Sequence, residues 1–386
     1  MQAVQKVSDT PMKQIQFIDL KAQQNRIRPQ LDEAIKRVLD HGQYIMGPEV
    51  KELEEKLAAF CGAKHAITCA NGTDALQLVL MAQGIGSGDA VFLPSFTFTA
   101  TPEVVALLGA EPVFVDVLPD TFNMDPASLH KGIQAAKEKG LTPRGIIPVD
   151  LFGQPADYDA LEPIAQENEL WVLCDAAQSF GGSYKGRKIG SLGDVTATSF
   201  FPAKPLGCYG DGGCVFTNDD KMADILRSLR VHGKGTDKYD NVRIGVNSRL
   251  DTLQAAILLE KLKIFPGELK AKQKVADAYG AALSDFAQTP VVLENCTSTW
   301  AQYTLVLPAG TDRSALQTQL KEQGIPTAVY YPLPLHQQEA YKNCLTAGDL
   351  TVSEALSARV LSLPMSGYLS DDDVNYVVDK ITRGTL

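Results

Sequence analysis

The chain contains no CxxC pair, no HExxH motif and no G-x-G-x-x-G loop. The first two absences argue against a zinc centre, the third against a dinucleotide-binding turn. Cysteine is present in an odd number, seven (Cys61, Cys69, Cys174, Cys208, Cys214, Cys296 and Cys344), and several lie in apolar runs. That pattern fits reduced, buried thiols in the cytosol rather than a disulfide framework. Positive charge is in deficit: 36 Lys and Arg stand against 46 Asp and Glu, a net charge of -10. So acidic a chain lacks the basic footprint of a nucleic-acid binder, although a local cluster of cations can still hold an anion. No stretch has the length and hydrophobicity of a membrane span. The opening MQAVQKVSDTPMKQIQF has neither the apolar core nor the cleavage site of a signal peptide. Internal repeats and low-complexity tracts are also missing. The expectation is a cytoplasmic protein with no metal, nucleic-acid or membrane partner.

What is there is a long alternation of apolar runs and helical patterns. The 386 residues are 45% hydrophobic, enough for a sizeable core and more than one domain. Strand candidates fall at 66–70, 90–95, 112–117, 145–151, 171–177, 195–201 and 213–218. Helices such as 74–84 and 102–108 separate the early ones. Continuous apolar strands joined by helical crossovers predict an α/β domain whose mostly parallel seven-stranded sheet lies between helices. The last strands follow each other so closely that one can run antiparallel. The pattern breaks at Phe265-Pro266-Gly267. A helix is expected over 268–287, then strands VVLE and TLVLP, then helices near 313–323 and 351–361. The predicted organisation is a flexible tail over 1–14, a large domain over 15–265 and a smaller α+β domain over 266–386. The segment up to about residue 46 is expected to pack with the small domain.

Chemistry concentrates at the ends of the apolar strands. After the first, Asn71-Gly72-Thr73 turns into a helix. Free N–H groups and a positive helix end meet there, with Gly72 permitting close approach and Thr73 adding a hydroxyl. This is a phosphate cup without a Walker lysine, or else a plain N-cap turn. PSFTFTAT (94–101) places Phe96 and Phe98 after the second strand, where an aromatic can stack on a flat ring or simply pack in the core. Asp175 closes the strand WVLCD. A buried acid needs a partner, and a protonated pyridine nitrogen would supply one; capping of the following turn is the other reading. Gln178 lies one turn on. Lys204 sits between Pro202 and Pro205, behind Phe200 and Phe201, on a backbone that cannot be helical. Burial there lowers a lysine's pKa and frees the nucleophilic amine. A strand-end acid followed by a strand-end lysine suggests pyridoxal 5'-phosphate (PLP), with the lysine as Schiff-base former. Ser199 would donate to the phosphate. Two later segments are candidate substrate elements. The loop 230–251 carries His232, Lys234, Lys238, Arg243 and Arg249, and YYPLPLH (330–336) presents Tyr330, Tyr331 and His336.

With these residues in place, the chain resembles the DegT/DnrJ/EryC1/StrS family of sugar aminotransferases, PLP enzymes of fold-type I. NGTDAL, PSFTFTAT, DAAQS, SFFPAKPLGCYGDGG and NSRLDTLQAAIL carry the resemblance, in that order, from about Ile15 to the C-terminus. It implies that Lys204 binds the cofactor covalently and Asp175 pairs with its ring nitrogen. Phe98 would stack on the ring, and Gly72, Thr73 and Ser199 would hold the phosphate. Gln178 would lie near the ring hydroxyl, and Asn247 would reach the cofactor phosphate of a neighbouring subunit in a homodimer with shared sites. Arg249 and His336 fall where relatives contact the nucleotide sugar, and Tyr331 is a further candidate substrate residue from the YYPLPLH run. Some relatives carry histidine in place of the lysine and dehydrate sugars; Lys204 favours transamination. The expected reaction moves an amino group from glutamate to a keto-sugar nucleotide. A UDP-linked 2-acetamido-3-keto-hexuronate, for O-antigen sugars, resembles the motifs best. A dTDP- or UDP-linked 3- or 4-keto-6-deoxyhexose is the alternative, and a PLP dehydratase or PLP-bound sensor protein lies further off.

Overall fold

The structure, a computed structural model, describes residues 13–237 and 239–383. Most of the segment read as a tail, and Lys238 of the basic loop, lie outside the described residues.

Seven strands build the main sheet: β1 (His65–Cys69), β2 (Asp89–Pro94), β3 (Glu111–Val115), β4 (Thr142–Ile146), β5 (Trp171–Asp175), β6 (Val195–Ser199) and β7 (Gly213–Thr217). Each overlaps one of the expected runs. Their order is β1-β7-β6-β5-β4-β2-β3. All neighbours pair in parallel except β7, which is antiparallel to both β1 and β6. The six parallel strands therefore point their carboxyl ends to one edge, where the candidate residues lie.

Both faces of the sheet are covered. Alternate residues of a strand enter different cores: Val91 and Leu93 of β2, with Leu173 of β5, pack against the helix Gly72–Ala82. Ala90 and Phe92, with Val172 and Cys174, pack against the helices Pro126–Glu138 and Tyr158–Glu167. Burial on both faces is why these runs read as continuously apolar rather than alternating.

A two-stranded sheet, β8 (Tyr303–Val306) and β9 (Val360–Leu363), forms the second layer with helices Arg313–Glu322 and Asp371–Arg383. Three expectations are corrected. VVLE (291–294) forms no strand, and Val291 is exposed. Strand β9 takes the last two residues of the helix expected over 351–361, which ends at Arg359. The helix expected to begin at Glu268 begins at Thr252 and continues to Leu283, straight through Pro266. Proline removes one backbone hydrogen bond from a helix interior. Here both halves are anchored: Leu258, Leu259, Leu262 and Phe265 pack against the β7 side of the main sheet. Val275, Ala276, Tyr279 and Leu283 pack on β8 and β9. Packing on both sides of the proline outweighs the lost bond.

The N-terminal segment divides its contacts. Ile15 joins the core around β8, and the Ile15 N–H donates to Gly324 O. The helix Arg28–His41 instead lays Leu31, Ala34 and Val38 on Ala256 and Ile257 of the long helix. Among the described residues, no helix is long and apolar enough to cross a membrane.

Candidate active site

The site is assembled by the register around β7. Gly213 is paired on one side with Cys69, at the end of β1, and on the other with Ser199, at the end of β6. A Cβ at Gly213 would lie 2.2 Å from Asn71 O, so only glycine lets the two flanking strand ends close up. The result brings the turn after β1 against Ser199. A Cβ at Gly72 would lie 2.6 Å from Ser199 Cβ. At this turn Asn71 caps the helix, its side chain accepting from the Asp74 N–H at 2.8 Å. The N–H groups of Gly72 and Thr73, in the first helical turn, have no acceptor within the helix. The Ser199 hydroxyl accepts from the Phe201 N–H at 3.2 Å and keeps its own proton to donate. Helix end, two free N–H groups and two hydroxyls form a cradle shaped for a phosphate.

From this cradle a cavity of about 450 Å³ runs along the carboxyl edge of the sheet. Phe98, Asp175, Gln178, Lys204 and Tyr331 line it together with Gly72, Thr73 and Ser199. Asp175 is buried. Its carboxylate accepts from the Thr101 hydroxyl at 2.9 Å and the Ala177 N–H at 3.2 Å. Burial pushes the Asp175 carboxyl up; those two donors and the Lys204 charge pull the other way. Burial likewise pushes the Lys204 amine down, and Asp175 opposes it. Each is the other's ionic neighbour in a site that disfavours both charges. The Lys204 loop is closed by backbone bonds from Phe200 N to Gly212 O (2.7 Å) and Cys208 N to Phe200 O (2.8 Å). Lysine is thus presented from a fixed bend and not from a flexible tip. Gln178 is held by accepting from the Phe152 N–H at 2.7 Å. Phe98 is half exposed, with its ring 6.5 Å from that of Tyr331.

These residues fit PLP. The phosphate cradle would hold one end, Asp175 the ring nitrogen, Phe98 a ring face and Lys204 the aldehyde carbon. Two observations support the fit besides the donor set. The space at Gly72 that a Cβ would fill is kept open, and the Thr97 hydroxyl, buried at the cavity wall, has no hydrogen-bond partner.

Two expected substrate residues, Arg249 and His336, and Asn247, expected to reach a neighbouring subunit's cofactor, lie outside this chain's cavity. Neither Asn247 nor Arg249 lines the cavity. Asn247 is exposed, while Ser248 between them accepts from the Ala70 N–H at 3.1 Å. His232, Lys234 and Arg243 border a separate open hollow. His336 also stands outside the cavity lining, with both ring nitrogens engaged: Nδ1 lies 2.6 Å from Ser95 Oγ and Nε2 3.1 Å from Glu354 Oε1. It ties the 330–336 segment to the end of β2, next to Phe96 and Phe98. Tyr330, named from the YYPLPLH run, lines the cavity, and so do Thr97, Thr101 and Gln302, which sequence reasoning missed. Both threonines belong to PSFTFTAT and were within reach of that motif; Gln302 carries no local signal.

The model of the DegT/DnrJ/EryC1/StrS aminotransferase family matches residues 25–382. The UDP-2-acetamido-2-deoxy-3-oxo-D-glucuronate aminotransferase of Pseudomonas aeruginosa is 51% identical over 372 residues, covering 96% of this chain and all of that protein. The dTDP-3-amino-3,4,6-trideoxy-alpha-D-glucose transaminase of Streptomyces venezuelae is 38% identical, covering 97% of this chain and 96% of that one. The crystal structure of a DegT/DnrJ/EryC1/StrS aminotransferase from Brucella abortus superposes with a TM-score of 0.93 at 53% identity, covering 96% and 99% of the two chains. The chain belongs to the DegT/DnrJ/EryC1/StrS aminotransferase family and uses pyridoxal 5'-phosphate.

Proposed function

We propose that this aminotransferase takes an amino group from glutamate and places it on C3 of a UDP-linked 2-acetamido-3-keto-hexuronate. The product would feed a surface polysaccharide such as O-antigen, and the reaction would run in the cytoplasm. The observation that carries the reading is the 51% identity, over 96% of this chain and all of that protein, to an enzyme named for that substrate. Identity to the dTDP-sugar transaminase is lower, at 38%.

Bound PLP supplies an electron sink that lets an amino group leave one carbon skeleton and join another. The protein's own residues do the rest. Asp175 holds a proton at the ring nitrogen, which a buried carboxylate with only two neutral donors is suited to do. Lys204 Nζ, pushed by burial towards its neutral form, would take the proton from the donor's α-carbon and return it to the cofactor carbon on the other side of the transferring nitrogen. Gly72, Thr73 and Ser199 fix the phosphate, so the reacting carbon stays beside Lys204.

The enzyme is proposed to work as a homodimer with shared sites. Tyr44, Ile45, Met46, Phe201 and Ile244 stand exposed on one chain, with Ile244 at 88%, which favours a covering partner. Asn247 and Arg249, outside their own chain's cavity, would then serve the partner's. Arg249 is proposed to meet the uronate carboxylate.

The deciding measurement is the visible spectrum with PLP, followed by glutamate and then keto-sugar nucleotide. The lysine-bound band should fade with glutamate and return with the UDP-3-keto-uronate, faster than with a 6-deoxy-keto-sugar. Return with the 6-deoxy sugar alone would overturn the substrate assignment. Arg249→Ala should slow the uronate more than the 6-deoxy sugar; equal losses would remove Arg249 from that role.

A further inference from the structure

Gln178 reaches the cavity from the turn that follows β5, and one arm of its amide is already engaged. Oε1 accepts from the Phe152 N–H at 2.7 Å. Phe152 holds a left-handed backbone (φ 61°), sparsely populated for a bulky residue, so its loop must be fixed by its surroundings. With Oε1 engaged, Nε2 is the arm left to serve the cavity, which Gln178 lines beside Tyr331. Burial pushes the Tyr331 hydroxyl pKa up and the Gln178 amide pulls it down, as a donor aimed at that oxygen does.

One carboxylate holds both partners of the Gln178–Phe152 bond in place. Asp150 is fully buried. Its Oδ2 accepts from the hydroxyl of Ser179, the residue after Gln178, at 2.7 Å. Its Oδ1 accepts from the Ala156 N–H and the Tyr158 hydroxyl, each at 2.9 Å, at the far end of the Phe152 loop. Its own N–H donates to Asp175 O at 3.1 Å, and the Asp175 N–H donates to Pro148 O at 3.0 Å. The Thr299 hydroxyl closes the other side of the turn, donating to Gln178 O at 2.5 Å. Asp150 thus joins both ends of the Phe152 loop to the strand end that bears Asp175 and to the turn that bears Gln178. Hydrogen bonds to a buried carboxylate are among the stronger ones, and they fix direction as well as distance. Were the loop or the turn to shift, the amide could rotate about its broad terminal torsion and present oxygen to the cavity in place of nitrogen. Asp150 does not itself line the cavity, so any effect on the reaction passes through these neighbours.

We infer that Asp150 is a positioning residue for the transamination: through Ser179 and the Phe152 loop it fixes the Gln178 amide so that a donor faces the cofactor, a role that rests on PLP occupying this cavity as proposed.

The test is a double-substitution cycle of Gln178→Ala and Ser179→Ala in the PLP-loaded enzyme. Three quantities are read: the single-turnover rate with glutamate, the pH midpoint of the lysine-bound visible band, and the urea unfolding midpoint. Gln178→Ala should slow turnover about tenfold or more and shift the pH midpoint by about half a unit or more. Ser179→Ala alone should slow turnover about threefold or more and shift the pH midpoint the same way. Added to Gln178→Ala, it should change the rate less than about 1.5-fold and leave the pH midpoint in place, while its cost in unfolding midpoint is the same in both backgrounds. Asp150→Asn keeps an acceptor for Ala156 and can donate to the Ser179 oxygen, so its rate should stay within about threefold of the parent, against a loss of about tenfold for Asp150→Ala. If Asp150→Ala does not fold, the cycle decides alone. A Ser179→Ala rate loss of equal size with and without Gln178, no loss in either background, or an Asp150→Asn as slow as Asp150→Ala would overturn the inference. A Gln178→Ala enzyme unchanged in both rate and band would remove Gln178 from the cofactor and sink the proposed seating of PLP together with the inference.

Discussion

Lys261 donates a hydrogen bond to the carbonyl oxygen of Gly207, 2.7 Å away and 54 positions earlier in the chain. The ammonium is buried in the long helix and sits 4.2 Å from the centre of the Tyr209 ring. Gly207 is three residues beyond Lys204, on the bend that presents the amine proposed to bind the cofactor. One buried lysine thus pins the backbone that carries another.

Lys261→Met should show this coupling. The variant leaves Gly207 O unpaired in a buried place, so the bend should loosen and PLP affinity fall, by about 1–3 kcal/mol at most. The pH dependence has a definite sign. Burial pushes the Lys261 pKa down to about 8, against 10.5 for an ordinary lysine. Between those values the unfolded chain binds the proton and the folded chain does not, so this group makes stability rise with pH. The deficit of Lys261→Met relative to the parent should widen as pH goes from about 8 to about 10. Urea unfolding midpoints across that range measure it; a constant or narrowing deficit would refute the burial of a titrating amine there.

Gly72→Ala should close the phosphate cradle. The added methyl would stand 2.6 Å from Ser199 Cβ and 3.0 Å from Ser199 Oγ, and Ser199 belongs to the sheet and cannot swing away. Overpacking of this kind costs about 1–3 kcal/mol. The PLP dissociation constant, read from the visible band, should rise about tenfold or more. An unchanged constant would mean that the phosphate lies elsewhere.

Lys204→Ala should abolish both the visible band and turnover. Asp175→Asn keeps the shape and the hydrogen-bonding size of the side chain but cannot hold a proton on the ring nitrogen. Loss of a preorganised charge of this kind costs about 10²-fold or more in rate. Single-turnover rates should fall by that order in both half-reactions, with PLP still bound. A variant within a few-fold of the parent would remove Asp175 from the chemistry.

Asp150, one strand over from Asp175, offers a separate check on the interior. It is fully buried and accepts from Ala156 N–H, the Tyr158 hydroxyl and the Ser179 hydroxyl at 2.7–2.9 Å. Burial nevertheless pushes its pKa up to about 6 from 3.8. The folded state then holds the proton where the unfolded state has lost it, so stability from this group falls as pH rises through that interval. The stability advantage of the parent over Asp150→Asn should shrink between about pH 4 and pH 6. Denaturation midpoints at several pH values test this; an advantage that grows over the interval would contradict it.

Six of the seven strands of the sheet were legible because each is a short run rich in apolar residues and bounded by turns, a purely local property; β4 (TPRGI) shares only Gly145 and Ile146 with the run read for it. Asp175, Lys204 and the Asn71-Gly72-Thr73 turn were legible for a related reason. Each joins an unusual residue to the end of such a run, and in a parallel sheet run ends share an edge. Pro266 misled, since a proline signals a break locally while the packing of Leu262, Phe265 and Val275 on two different cores decides otherwise. Composition and local pattern, then, determined the class of fold and the residues able to do the chemistry, because propensity, burial and turn geometry act over a few positions. Tertiary structure alone decided which of them meet. The contact of Gly72 with Ser199 depends on β7 lying between β1 and β6. His336 is tied to Ser95 across 241 positions, and Lys261 to Gly207 across 54. Such pairs are fixed by sheet register and helix docking, which no short stretch of sequence encodes.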